Sequence, residues 1–273
     1  MNSAHERAIR FIYEKYSEPL SLADIANSAI VSRFHFCRTF KDAIGVTPGR
    51  YLSAIRIYQA KRMLLNTRMN VTDIAFAVGY NSLGSFSNHF TDSVGLAPGR
   101  FRRISQRGGI VVPRPRLPSS SPHATVTGTI VFPQGYSVGR VYLGTFDTPI
   151  VQRRPAAAVI IEASAAASPC SFELTGVPHG TWFLRAVAVA DDTDPEPWTR
   201  RTLLVGGTGP LTITDDTAVS AGIELRPRRP TDLPILLALP DLEPASADIR
   251  PAQPGSTAAQ LLRSALVMAD AVR

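Results

Sequence analysis

Apolar positions follow a helical period over the first hundred or so residues and a strand-like alternation after that. Residues 3–17 place Ala8, Ile9, Phe11, Ile12 and Tyr16 on one side and predict a helix that Pro19 ends. Residues 22–29 and 32–43 predict two shorter helices, the second with Phe36 and Phe40 one turn apart on its inner face. Residues 48–66 predict a long helix whose core face is Tyr51, Leu52, Ile55, Ala60, Met63 and Leu64, with Arg50, Arg56, Lys61 and Arg62 interspersed. Helices over 71–78 and 82–93 follow, with Phe86 and Phe90 again one turn apart, and Pro98 opens a short closing helix. From Ala124 the texture changes. Runs at 125–132, 140–146, 157–163, 171–174, 181–189, 202–205, 211–213 and 218–225 read as strands, with turns at 133–135, 178–180 and Gly206-Gly207. Short strands at this spacing predict an antiparallel β-sandwich.

The helical part is one unit written twice. Residues 40–51 and 90–101 share Phe, Asp, Gly, Pro, Gly, Arg and an aromatic at an offset of 50. Upstream, Leu22-Ala-Asp-Ile-Ala26 is echoed by Val71-Thr-Asp-Ile-Ala75 at an offset of 49. Two echoes in register mean a repeated supersecondary unit. Each copy reads as helix, tight turn, helix. Ser21 and Asn70 stand where an N-cap is needed, with Asp24 and Asp73 in the first turn. Gly45 and Gly95 stop the second helices, because a left-handed residue after a helix costs glycine nothing. Pro48 and Pro98 then start the next helices.

This pattern resembles the DNA-binding domain of the AraC/XylS family of transcription regulators. The resemblance is carried by Asp24-Ile-Ala26, Phe40-Lys41, Gly45 to Tyr51, Arg56, Ala60, Leu64-Leu65, Ile74-Ala75, Val78-Gly79-Tyr80, Phe86, Phe90 and Gly95 to Arg102, and spans residues 5–104. It implies an all-α double helix-turn-helix domain that enters two successive major grooves, in a transcription regulator, activator or repressor. Duplex DNA would be the partner, and RNA polymerase a candidate second one. By position the family's groove-facing residues carry over to Phe34, Cys37 and Arg38. Residues 124–227 are similar, more loosely, to the carboxypeptidase-regulatory or transthyretin-like sandwich. The expected chain is thus multidomain: 1–104 helical, 105–123 a linker rich in Pro, Ser and Arg, 124–227 a sandwich, 228–255 Pro-rich, and 256–273 an amphipathic helix.

Charge sharpens this picture. The net charge of +7 divides into +10 over residues 1–118 (17 Lys/Arg against 7 Asp/Glu) and −3 over residues 119–273 (12 against 15). The part that attracts phosphate is the helical part. Cys37 and Cys170 lie far apart without a metal-ligand spacing, so no disulfide, metal site or cofactor is expected. The N-terminus lacks an apolar signal core, and no apolar run approaches the ~20 residues of a membrane helix. A cytoplasmic, nucleoid-associated protein with no membrane partner is expected. Hydrolase, zinc-protease and phosphate-loop signatures are missing, so no enzyme is predicted.

Individual residues carry the chemistry. Arg38 suits guanine O6 and N7, with a phosphate contact as the alternative. Phe34 could meet a thymine methyl or be partly buried, and Cys37 is a small groove-facing residue or inert. In the second copy the outward set is Leu83, Gly84, Ser85 and Asn88, of which Asn88 alone offers the amide that suits adenine. Arg33, His35, Lys41, Arg50, His89 and Arg100 are phosphate candidates, His35 and His89 being read as equivalent in the two copies, with helix packing as the alternative for the histidines. Arg56 reads as a structural ion pair. Asp191-Asp-Thr-Asp194 reads as a solvated loop rather than a calcium site. Trp182 and Trp198 would form a sugar platform if exposed together, and core if buried apart. A sequence-specific regulator leads, against a nonspecific architectural DNA binder or a ligand- or carbohydrate-binding sandwich tethered to DNA. The linker is long enough to uncouple the two parts mechanically. The apolar stripe of residues 258–272 suggests a homodimer or a protein partner.

Overall fold

The computed structural model describes residues 3–106, 123–163, 168–192, 202–214 and 219–239. The helical part consists of α1 (Ser3–Lys15), α2 (Leu22–Ser28), α3 (Arg33–Ile44), α4 (Pro48–Asn66), α5 (Val71–Ala77), α6 (Leu83–Val94) and α7 (Pro98–Gln106). The expected stop signals act as such. Ser21 and Asp24 form a reciprocal capping box at α2, and Asn70 accepts from the Asp73 N–H at α5. Gly45 and Gly95 close α3 and α6 in the left-handed conformation at φ 84° and 85°.

The repeat recurs in the packing. Phe40 meets Tyr51 edge-on at 5.7 Å, and Phe90 meets Phe101 at 5.7 Å. Phe36–Phe40 and Phe86–Phe90 are tilted pairs at the same 49°. All these rings are fully buried in one helical core, and such pairs add about 0.5–1.5 kcal/mol each beyond their area burial. Arginines tie the helix ends, where carbonyls lack intrahelical donors. Arg7 donates to Ala29 O beyond α2. Arg56 donates to the Tyr16 and Glu18 carbonyls beyond α1, so its structural role is played on backbone oxygens and not in the expected ion pair. Arg102 donates to Leu64 O and Met69 O at the end of α4.

The β-rich part comprises β1 (His123–Val131), β2 (Tyr136–Phe146), β3 (Ala158–Glu162), β4 (Cys170–Pro178), β5 (Gly180–Asp192), β6 (Thr202–Ile213), β7 (Val219–Glu224) and the short β8 (Arg226–Pro227). They form a three-stranded sheet in the order β4-β1-β7 and a five-stranded sheet in the order β3-β2-β5-β6-β8. One core joins Val126, Ile130, Phe172 and Ile223 of the first sheet to Val141, Leu143, Leu184 and Leu204 of the second. Trp182 packs against it, half-buried, and donates to Pro178 O at 2.7 Å.

Three expectations need correction. Gly206-Gly207 is no turn: β6 runs unbroken through it. A side chain on Gly206 would lie 2.5 Å from Glu224 O, and one on Gly207 2.3 Å from Leu184 O, so glycine here serves close backbone approach. The sheets are not antiparallel throughout, because β1 and β7 run parallel. β7 arrives from the other sheet by a crossover instead of a hairpin, which permits that direction. The start of the Pro-rich stretch also joins the packing: Ile235 to Leu239 are all buried, and Ile235 bridges to Val151.

The third correction concerns coupling. The two parts are in contact, not mechanically independent. Ile150, Leu236 and Ala238 are buried in the helical core. The Arg153 side chain reaches Asp92 at 2.8 Å while its N–H donates to Ser93 O. Ala238 N–H donates to Val94 O, Lys61 Nζ to Leu237 O at 3.3 Å, and Arg228 stacks on Tyr58. Chain topology alone misses this, because these contacts come from residues 147–153 and 228–239, far along the chain from the helices they meet. Most of that linker (107–122), the calcium-like loop, Trp198, the Pro-rich residues from 240 and the tail 256–273 lie outside the described residues or at their edge.

The turn between α2 and α3 contains one strained residue. Ile30 has φ 59° and is 80% exposed, whereas the matching place in the second copy holds Gly79 at φ 87°. A β-branched residue there costs roughly 1–2 kcal/mol. Ile30→Gly is expected to raise stability by about 0.5–1 kcal/mol after the chain-entropy cost of glycine, read as a higher urea midpoint at unchanged slope.

Candidate nucleic-acid interface

The second helix of each copy presents one and the same register. Phe36 and Phe40 are buried while Arg33, Phe34, His35 and Arg38 are exposed; Phe86 and Phe90 are buried while Leu83, Gly84, Ser85 and Asn88 are exposed. The alternation follows from the two phenylalanines, which hold one helix face in the core and turn the opposite face outward. Cys37 and its counterpart Ser87 are both half-buried at the edge of that face. Phe34 is 81% exposed, which removes the partly buried alternative, and Arg33 lies over its ring at 5.3 Å. A bare aromatic on a helix face is what an apolar contact with a base edge needs.

The cations around this face are uncommitted. Arg38, Lys41, Arg50 and Arg100 are exposed, and none has an ion pair or hydrogen-bond acceptor among the described residues. Arg50 and Arg100 stand in the first turns of α4 and α7, after Pro48-Gly49 and Pro98-Gly99, where free backbone N–H groups also favour an anion. The β-rich part contacts the other ends of the recognition helices. Pro149 packs against Gly45, and Arg153 and Ala238 bond the last turn of α6. The outward residues Arg33, Phe34, His35 and Arg38, and Leu83, Gly84, Ser85 and Asn88, therefore remain exposed.

The two histidines are not counterparts. At the offset of 50, His35 matches Ser85 and His89 matches Thr39. His35 is exposed beside Phe34. His89 is half-buried, with Nδ1 2.7 Å from the Tyr80 hydroxyl and the ring edge-on to Tyr80, an arrangement that uses the imidazole for packing. What sequence reasoning missed is the set Pro149, Arg153 and Lys61, whose roles rest on contacts with residues far along the chain.

The model of a helix-turn-helix domain matches residues 25–104. Residues 25–104 form an AraC-type helix-turn-helix domain. Among curated proteins the chain is similar to the lactose operon transcription activator of Staphylococcus xylosus, 31% identical over 102 residues, which is 37% of each chain. It is also similar to the melibiose operon regulatory protein of Escherichia coli K12, 29% identical over 97 residues, covering 36% of this chain and 32% of that protein. The chain thus spans only about a third of the length of these relatives. Among solved structures, a transcriptional regulator with an AraC-type DNA-binding domain from Chromobacterium violaceum aligns over 37% of this chain and 90% of its own, at 29% identity and a TM-score of 0.36. Among the described residues of this chain, no helix is long and apolar enough to cross a membrane, and no cluster of His, Cys, Asp or Glu could hold a metal ion.

The AraC-type domain carries a pH dependence. Burial lowers the pKa of His89; Asp92 opposes this and Arg153 adds to it. Burial also lowers the pKa of His5, which lies against the Phe36 and Phe40 rings. Each folded-state pKa lies below the unfolded value, so the unfolded chain binds more protons. This stability contribution is complete above the ordinary histidine value of about 6.5, begins to be lost as the pH falls below it, and is gone once the pH has passed the lower folded-state values. Urea midpoints should therefore fall as the pH is taken below that ordinary value. The drop should be shallower in His89→Gln; an equal drop in that variant would remove His89 as a source.

Proposed function

We propose that this chain is a sequence-specific, DNA-binding transcription regulator that reads two successive major grooves, one with each recognition helix. The observation behind it is the twice-presented face of α3 and α6, uncovered and flanked by unpaired cations. Arg38 is the principal base reader, supported by Phe34 and Cys37, and Arg33, His35, Lys41, Arg50 and Arg100 hold phosphates. The β-rich part acts as a sandwich-type regulatory unit docked on the helical domain. No catalytic role is assigned to any residue, and the protein acts in the cytoplasm on duplex DNA.

A second feature qualifies specificity. Leu83 and Gly84 offer the second groove no polar reader, and Ser85 and Asn88 alone can bond a base edge. The second helix then contributes mainly backbone contact and shape readout.

Selection from randomised duplexes followed by footprinting tests the proposal. Protection should span about two helical turns for one protomer, half-sites lying roughly 34 Å apart. Arg38→Ala should relax the preference at one base pair by about 1–3 kcal/mol. Protection of a single turn, or equal weakening on every sequence, would contradict the two-groove reading and the base-reading role respectively.

A further inference from the structure

The outer face of the five-stranded sheet, turned away from the shared β core, carries a cavity of about 210 Å³. Its walls include Phe146, Val159, Ile160, Val187, Leu237 and Leu239, and its one charged wall residue among the described residues is Arg185. The lining offers little that could satisfy the hydroxyls of a sugar, and the space is smaller than the ~300 Å³ at which drug-sized pockets begin.

Arg185 is placed unusually. Its Nε donates to Pro149 O at 3.0 Å, and Nη1 donates to Leu184 O at 3.1 Å and Thr208 O at 3.3 Å. Phe183 lies 5.5 Å from the guanidinium carbon. No carboxylate faces it among the described residues, and Nη2 has no acceptor there. Burial lowers its pKa, with no opposing charge to restore it. A guanidinium taken from water without a counter-charge is costly, and a carboxylate is the group whose planar pair of oxygens matches its fork.

We propose that this cavity binds a small hydrophobic monocarboxylate, with the carboxylate on Arg185 and the apolar body against Phe146, Ile160, Val187 and Leu237. Charge complementarity selects the acid, and the apolar walls select against a multiply charged anion such as phosphate. The site lies on both segments that dock the AraC-type domain. Arg185 holds the carbonyl of Pro149, which packs on Gly45 at the end of α3, and the Leu237 carbonyl accepts from Lys61 of α4.

Calorimetric titration of the full chain tests this, with 4-methylbenzoate and its neutral counterpart 4-methylbenzyl alcohol as probes. The acid should bind at least about tenfold more tightly than the alcohol, the worth of one charge-assisted pair. R185Q should abolish that preference. Because Arg185 also ties three carbonyls, Ile160→Glu serves as a second variant. Ile160 is 42% exposed on the edge strand β3, so a glutamate there is tolerated and its negative charge should lower the acid-to-alcohol ratio. Equal binding of acid and alcohol by the unmodified chain overturns the proposal and leaves Arg185 a purely structural tie; failure of both probes to bind overturns it as well.

Discussion

Everything in this molecule leans on α4 being buried on nearly every side. Tyr51, Leu52, Ile55, Ala60 and Leu64 form the apolar face that its sequence advertises, but Ala54, Ile57, Gln59 and Lys61 are buried too. A helix enclosed in this way belongs to an interior, yet the sequence of α4 carries four basic residues. The β-rich part resolves the conflict. Its Leu237 carbonyl accepts from Lys61, whose ammonium also lies 5.4 Å from the Phe101 ring, and Arg228 covers Tyr58. A buried ammonium without such partners would be severely destabilising. Both helix-turn-helix units pack on this one axle, so the separation and relative rotation of α3 and α6 are properties of α4.

The recognition helices depend on the β-rich part in a second way. The last carbonyls of a helix have no intrahelical donor. At α6, Gly95 supplies one N–H to Thr91 O, and the β-rich part supplies two more, Arg153 N–H to Ser93 O and Ala238 N–H to Val94 O. Arg153 does so at φ 62°, a conformation that costs a non-glycine residue energy and persists because Asp92, Asp147 and Ser93 all hold it. The end of α3 is closed differently, with Gly45 as its cap and Pro149 lying in the space that a side chain on that glycine would take. Motion of the segment 147–153 would therefore be felt at both recognition helices, at the ends opposite to their exposed faces.

Most of the helical part was legible because its information is local and written twice. Caps, paired phenylalanines and helix-ending glycines lie within a turn or two of the feature they determine. The β-rich part was legible as strands but not as a topology. Gly206-Gly207 looks like a turn because glycine usually marks one; its reason here, close approach to Glu224 and Leu184, lies in strands distant in sequence. The parallel pairing of β1 and β7 and the docking of residues 228–239 are likewise long-range. A signal for the docking did exist. Leu233-Pro-Ile-Leu-Leu-Ala-Leu239 is too apolar for a solvated Pro-rich segment, and its buried side chains show what that density is for. The supposed equivalence of His35 and His89 failed on counting alone, since the offset of 50 separates them.

The unequal recognition helices follow from the rigidity of α4. In the proposed complex, Arg38 and Phe34 engage one groove, and α4 then presents α6 to the next groove without a further search. That second contact is intramolecular, so it needs little affinity of its own. Backbone contacts and the cation Arg100, in the first turn of the helix after α6, seat it, because phosphate contacts position a protein without carrying sequence information. Selection on base-reading side chains is thereby relaxed in α6 in a way it could not be in α3. Gly84 and Leu83, which would be poor choices on an isolated recognition helix, are compatible with tight binding when the helix that carries them is held in place by a buried axle and capped by a second unit.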